Sequence, residues 1–171
     1  EFTMSRIALL DIFQAFFVVA AVAALVVDRD WFRNRLADQL TFAGAKDQGG
    51  AFGRVALLRP WRWVAGVMFG CAMGVKWNSV YVLAAFAVLS VLWDVGARRL
   101  AGADFRSWLA LLYDGLPAFV ALVLGAVATY VATWTGWFAT SGGWDRTWGT
   151  QHPDDPLVKA FGTDLASWLW Y

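Results

Sequence analysis

The sequence GVMFGCAMGVKWNSVY, residues 66–81, places one cation inside a long apolar run. Between residues 61 and 93 the only charged side chains are Arg62 and Lys76. A single helix over this run would be about 48 Å long, whereas the hydrocarbon core of a bilayer is about 30 Å thick. The run therefore predicts two helical segments joined by a turn near Lys76.

The first half of the run carries three glycines at a spacing of four, Gly66, Gly70 and Gly74. These positions share one helix face, and the bare backbone on that face allows another helix to approach closely. We therefore expect the glycine face to pack against protein. An ammonium deep in hydrocarbon costs at least a few kcal/mol, so Lys76 is expected near the interface, facing a cavity or an anionic partner. This makes Lys76 a candidate functional residue.

The composition favours a membrane protein. Hydrophobic residues make up 60% of the chain and there are 12 tryptophans, whereas a soluble domain of this length usually carries more charge and less Trp. A soluble, all-helical domain with a large core is the alternative. The single cysteine, Cys71, excludes an internal disulfide bond. No phosphate-binding glycine loop, dinucleotide fingerprint, nucleophile elbow or nucleic-acid module is present, so we expect no cofactor and no nucleic-acid partner.

The hydropathy pattern predicts an all-α fold, a polytopic transmembrane helical bundle. The predicted spans are residues 7–27, 63–75, 78–93 and 108–132, joined by polar connections at residues 28–62 and 94–107. Both connections are rich in Lys and Arg, so the positive-inside rule predicts that they are cytoplasmic and that the Trp-rich segment 133–171 lies on the outer side. We expect a multi-pass protein of the cell membrane, surrounded by lipid. Because the chain begins and ends abruptly, we also expect it to be a piece of a larger polytopic protein.

Three basic residues that are far apart in the sequence are predicted to share the outer membrane face: Arg6, Lys76 and Arg146. They would lie near the depth of a lipid phosphate, so together they predict a site for an anion. Each also has an ordinary alternative. Arg6 could reach from a helix start to the interface, and Arg146 could be a loop charge. Lys76 could simply neutralise Asp11, which lies inside the first predicted span and needs a cationic partner, either Lys76 or Arg6.

The outer segment is rich in aromatic residues interleaved with glycine. Its densest part contains Trp134, Trp137, Phe138, Trp144 and Trp148. This density is typical of an aromatic belt at a membrane interface, and it also suits a platform on which the apolar faces of a sugar stack. His152 is followed closely by Asp154 and Asp155, but no second His or Cys stands at ligand spacing, so no metal site is predicted.

Three blocks of the sequence carry a family resemblance. The first is SRIALLD, residues 5–11, with Phe13 after it. The second is GCAMGVKW, residues 70–77, and the third is YVATWTGWF, residues 130–138, with Asp145-Arg146 after it. In order and spacing these blocks resemble protein O-mannosyltransferases of the actinobacterial branch, and the resemblance covers essentially the whole chain.

The resemblance implies the multi-span fold of C-type glycosyltransferases. It also implies a reaction that transfers mannose from a polyprenyl-phosphate carrier to Ser or Thr of proteins crossing the membrane. The donor then offers a lipid-linked phosphate at the outer face, for which Arg6 and Lys76 are candidate ligands. Arg146, Trp134 and Trp137 are further candidates for binding the phosphate or the sugar.

The resemblance also limits what is assigned to this chain. The family's acidic pair, which supplies the presumed base, belongs to an earlier outer loop, so no catalytic residue is assigned here and Asp11 is expected to be a structural ion-pair partner. The ending SWLWY, residues 167–171, is similar to the start of a further family motif. It has Trp170 where the family pattern has His, so no role is assigned to it.

Two other functional classes fit part of the pattern. A transporter or flippase segment would use Asp11 and Lys76 as an intramembrane ion pair on a substrate pathway. A membrane scaffold would use the glycine face of residues 66–74 to bind a partner. A transporter needs polar residues spread through several spans, whereas here they gather at one predicted face, which favours the transferase. An Asp-Glu pair in a preceding outer loop would separate the classes.

Overall fold

The computed structural model describes residues 10–43, 59–100, 111–140 and 146–170. These residues form helices and turns, and no strand occurs among them. The all-α fold class is therefore confirmed. The chain divides into two compact units, residues 1–130 and residues 131–171.

Among the described residues, four long helical segments lie wholly or mostly in the first unit. They are α1 (Asp11–Ala43), α2 (Pro60–Val75), α3 (Ser79–Leu100) and α4 (residues 111–133). Within α4, Leu111–Gly115 and Phe119–Leu124 are π-helical, and Leu116–Ala118 and Gly125–Thr133 are α-helical. Pro60 stands in the first turn of α2, where its missing N–H leaves no hydrogen bond unmade and its fixed φ suits a helix start.

The long apolar run is divided at its cation. α2 ends at Val75, and the next residue, Lys76, has an extended backbone, with φ −146° and ψ 121°. The Lys76 N–H donates to Ala72 O at 2.9 Å, and Trp77 and Asn78 form the turn that leads into α3. The turn therefore exposes Lys76 between two helices.

In the part of the chain that the structure describes, three helical stretches are long and apolar enough to cross a membrane. They are Asp11–Asp38 in α1, Ser79–Leu100, which is α3, and Leu112–Thr133 in α4. These stretches confirm the polytopic bundle. α2 has 16 residues, so its length is about 24 Å, less than a hydrocarbon core of about 30 Å. α1 continues past residue 27 to Ala43, so the first part of the connection 28–62 is helical. The exact spans and their sidedness stay predictions.

The core of the first unit lies where the four helices meet. It is built mainly from alanine and leucine: Ala21, Ala24, Leu25, Ala65, Phe69, Leu83, Leu122 and Ala126. The glycine face of α2 packs against α4 beside this core. A Cβ on Gly70 would lie 2.5 Å from Thr129 Cβ and 2.6 Å from Ala126 O, and a Cβ on Gly66 would collide with Ala121 O. Gly66 and Gly70 therefore allow close backbone contact, as their spacing predicts, whereas Gly74 is exposed.

The described part of the second unit contains four short helices. They are α5 (Thr135–Ala139), α6 (Trp148–Gln151), α7 (Pro156–Phe161) and α8 (Thr163–Trp170). Its small core contains Trp148, Val158 and Ala166. Asp155 caps α7 by accepting a hydrogen bond from the Leu157 N–H at 2.8 Å. Gly162 separates α7 from α8 with a φ of +80°, a value that residues other than glycine rarely adopt.

Candidate functional site

The ammonium of Lys76 contacts the carboxylate of Asp11 at the N-terminal end of α1. The pair is accessible, because 41% of the Lys76 side chain and 56% of the Asp11 side chain are exposed. An exposed pair of this kind contributes little to stability on its own, since water screens both charges. The arrangement therefore presents a cation on a turn, next to one carboxylate, where a soluble or lipid-linked anion can reach it.

A second polar contact joins α1 to the same turn. The Gln14 side-chain nitrogen donates to Asn78 Oδ1 and to Ser79 Oγ, each at 2.7 Å. The role of Gln14 was not predicted from the sequence, although a signal was present. In the apolar run 7–27 the only polar side chains are Asp11 and Gln14, and both contact the turn that follows α2.

Arg6, the other candidate for the donor phosphate, lies outside the described residues. Its place beside Lys76 stays a prediction from topology.

Arg146 is engaged within the second unit. Its Nη1 donates to the carbonyl oxygens of Trp137 and Thr140, and to Phe138 O at 3.2 Å. Its guanidinium carbon also lies 5.0 Å from the centre of the Trp137 ring. These carbonyls end α5, where backbone oxygens lack partners within the helix and the dipole favours a cation. The contacts give Arg146 a structural role, and binding to an anion would use its other guanidinium nitrogens.

The aromatic residues of the second unit form two groups. In the first, Trp134 meets Trp137 and Trp168 edge to face, with ring centres 6.5 Å and 6.1 Å apart. In the second, the buried Trp148 is stacked on His152 at 4.7 Å and on Trp170 at 4.6 Å. The half-buried rings of Trp134 and Trp137 suit a sugar platform or a membrane interface equally well. Trp144 lies outside the described residues.

A buried cluster of four charged residues, which was not predicted from the sequence, joins α1, the start of α2, and α3. Asp28, Arg59, Arg62 and Asp94 are each less than 5% exposed. Arg59 donates to Asp28 at 2.6 Å and to Asp94 at 2.7 Å, and Arg62 donates to the same carboxylates at 3.1 and 2.8 Å. Two cations and two carboxylates make the cluster neutral, which is how charges are tolerated away from water.

The carboxylates of the buried cluster keep Arg59 charged. Burial alone would lower the pKa of Arg59, but the nearby charges of Asp94 and Asp28 and the hydrogen bonds to them outweigh that effect and raise the pKa above its ordinary value. The neighbouring pair Arg98–Asp114 is also buried, with two hydrogen bonds of 2.7 Å between the guanidinium and the carboxylate. The ring of Phe32 lies near both the cluster and this pair. Its centre is 4.3 Å from the guanidinium carbon of Arg59 and 5.4 Å from that of Arg98. Because these charges neutralise one another, we assign them a structural role.

Comparison with curated proteins identifies relatives of the chain. It is 40% identical over 147 residues, 85% of its length, to the polyprenol-phosphate-mannose–protein mannosyltransferase of Mycobacterium tuberculosis. It is 34% identical over 98% of its length to the protein of that name from Corynebacterium glutamicum, and 36% identical over 82% to the one from Mycolicibacterium smegmatis. The chain is homologous to part of these mannosyltransferases. No family model and no solved structure matches it.

The relatives confirm the resemblance to actinobacterial protein mannosyltransferases that the three sequence blocks indicate. The chain spans between 27 and 32% of the lengths of these mannosyltransferases. The first two blocks, residues 5–11 and 70–77, contribute Asp11 and Lys76, which the structure brings into contact. The third block, residues 130–138, contributes the rings of Trp134 and Trp137 to the second unit.

Proposed function

We propose that this chain is part of a membrane glycosyltransferase that moves mannose from polyprenyl-phosphate mannose to Ser and Thr hydroxyls of proteins at the outer membrane face. The reaction is inferred from the names of the relatives, and the membrane setting from the three long apolar helices among the described residues. The proposed site rests on one observation: the ammonium of Lys76 is accessible on the turn between α2 and α3, where it contacts Asp11.

The transfer breaks the bond between the anomeric carbon of mannose and a phosphate oxygen, and forms a bond from that carbon to the acceptor oxygen. The hydroxyl proton passes to a base, and negative charge grows on the departing phosphate. A cation that contacts this phosphate stabilises the transition state more than the ground state. Lys76, together with Arg6, is proposed to supply that cation. No residue of this chain is assigned as the base.

Asp11 is proposed to hold the Lys76 ammonium in place without preventing phosphate binding. An ammonium has three N–H donors, so it can keep a contact to a carboxylate while it donates to a phosphate oxygen. More than two fifths of each side chain is exposed, which leaves room for the second anion. Since Asp11 already accepts from Lys76, it is assigned a structural role.

The second unit is proposed to bind the sugar or the acceptor through Trp134 and Trp137. Their half-buried rings offer apolar faces to the C–H groups of a hexose or to a polypeptide. Arg146 packs on Trp137 and is the proposed cation of this unit, although its Nη1 serves the end of α5. A role in an aromatic belt at the membrane interface would use the same rings.

The proposed setting is a multi-pass protein of the plasma membrane that requires no cofactor. Its partners would be membrane lipid, the lipid-linked mannose donor, and secreted or translocating acceptor proteins. A transporter segment is less well supported. Both polar residues of the first apolar run contact one turn, and they are not part of a row of polar side chains along the helix.

The reaction can be tested with the protein produced from its complete gene and placed in lipid vesicles. Given labelled polyprenyl-phosphate mannose, it should label a Ser/Thr-rich peptide and leave a matched peptide with Ala at those positions unlabelled. Equal label on both peptides, or none on either, would show that the chain does not belong to such a transferase.

A further inference from the structure

Gln14 connects α1 to the backbone that carries Lys76. Its side-chain nitrogen donates to Ser79 Oγ at 2.7 Å, and the Ser79 hydroxyl donates in turn to Ala72 O at 3.2 Å. The Lys76 N–H donates to that same carbonyl at 2.9 Å. A continuous series of hydrogen bonds therefore leads from α1 to the residue that presents the ammonium.

Both amide hydrogens of Gln14 are used in this network. One amide hydrogen of Gln14 goes to Ser79 and the other to Asn78 Oδ1, also at 2.7 Å. Ser79 is completely buried, so losing the Gln14 amide would leave the Ser79 hydroxyl oxygen without that donor and without water to replace it. The network thus favours one placement of the turn against α1.

Two residues on one face of α1 contact the turn in different ways. Asp11 is three residues before Gln14, so the two share a helix face. Asp11 contacts the long, flexible side chain of Lys76, which alone would permit many positions of the turn. Gln14 contacts the turn at Asn78 and at the first residue of α3. The backbone position of Lys76 therefore depends on Gln14 more than on Asp11.

We propose that Gln14 is a positioning residue for mannosyl transfer: it fixes the turn 76–78 against α1 and so sets where the Lys76 ammonium meets the donor phosphate. Ser79 transmits this constraint through its hydroxyl. The inference rests on the proposed role of Lys76. A displacement of a binding group by about 1 Å is enough to cost a large factor in rate, which is why the constraint matters.

The test is a double-mutant cycle on kcat/KM for polyprenyl-phosphate mannose, in the protein produced from its complete gene. Gln14→Met keeps the length of the side chain and removes its hydrogen bonds. It should lower kcat/KM about fivefold in the otherwise unchanged protein. In a Lys76→Met background the same change should lower kcat/KM by less than about twofold, because there is no ammonium left to position. A purely structural role of Gln14 would reduce the rate equally in both backgrounds.

A pair of serine variants provides the matched control and a gentler second perturbation. Ser79 and Ser90 are both buried in α3 and both donate to a backbone carbonyl, but only Ser79 receives the Gln14 amide. Ser79→Ala should lower kcat/KM and Ser90→Ala should leave it unchanged.

The outcomes separate this inference from the proposed function. A loss with Lys76→Met but none with Gln14→Met and Ser79→Ala would overturn the positioning role and leave the phosphate role intact. Unchanged transfer with Lys76→Met would overturn the phosphate role, and the positioning role with it. A loss with Gln14→Met that is equal in the two backgrounds would overturn the positioning role alone.

Discussion

Asp94→Asn should be among the most destabilising single changes in the helical unit. Asp94 is 1% exposed and accepts three hydrogen bonds, two from Arg59 at 2.7 and 3.1 Å and one from Arg62 at 2.8 Å. Removal of its charge leaves two buried guanidinium groups facing only Asp28. Breaking a buried ion pair from one side costs about 3–5 kcal/mol, most of it the cost of an uncompensated charge away from water.

The measurement is the free energy of unfolding of the purified protein in detergent, obtained from a denaturation curve. A control lies on α1, where Asp30 pairs with Arg29 in an exposed position, with 55% of the Asp30 side chain accessible. Asp30→Asn should cost less than about 1 kcal/mol. Addition of Arg62→Met to Asp94→Asn makes the cluster neutral again, so the double variant should cost less than the sum of the single changes. If Asp94→Asn costs no more than Asp30→Asn, the reasoning about this cluster is wrong.

Three further predictions concern topology, packing and the surface ion pair. With cysteines introduced at positions 46 and 159 in place of Lys46 and Lys159, an impermeant reagent on intact cells should label only position 159, and equal labelling would refute the predicted orientation. Gly70→Leu should reduce the yield of folded protein, because α4 leaves no room for the side chain, and an unchanged thermal stability would show that this face tolerates bulk. Asp11→Asn and Lys76→Met should show a small coupling in stability, below about 1 kcal/mol, because the Asp11–Lys76 pair is exposed, whereas strictly additive effects would show that the pair contributes nothing.

The sequence was sufficient to predict those features that follow from local pattern. The length of the apolar run and the cation at residue 76 indicated a helix break, and α2 and α3 are separated at that point. The spacing of Gly66 and Gly70 indicated a packing face, and both contact α4. Such features depend on helix geometry and on the thickness of a bilayer, so one segment carries enough information.

The buried charges were not predicted, because their meaning depends on distant partners. Arg59 and Arg62 look like loop charges in a basic connection, and Asp28 and Asp94 look like the ends of spans. Only the packing of α1 against α2 and α3 brings the four together. Positive-inside reasoning counts charges and does not ask which of them are neutralised by neighbours.

The candidate site was predicted in part. The contact between Asp11 and Lys76 follows from the need of an intramembrane carboxylate for a cation, whereas the part played by Gln14 requires the register between α1 and the turn. The contacts of Arg146 were not predicted, since sequence alone could not indicate that its Nη1 donates to a carbonyl oxygen at the end of α5.

The most direct test of the central claim, that Lys76 holds the phosphate of a lipid-linked mannose donor, is transfer by Lys76→Ala measured beside Lys159→Ala. Lys159 is an exposed cation outside the three blocks, 3.3 Å from Asp154. With the protein produced from its complete gene, polyprenyl-phosphate mannose and a Ser/Thr-rich peptide, Lys76→Ala should lower transfer at least about tenfold, equivalent to roughly 1.4 kcal/mol of transition-state stabilisation. Arg6→Ala should act in the same direction, and Lys159→Ala should change transfer by less than about twofold. Near-normal transfer by folded, membrane-inserted Lys76→Ala and Arg6→Ala would contradict the claim.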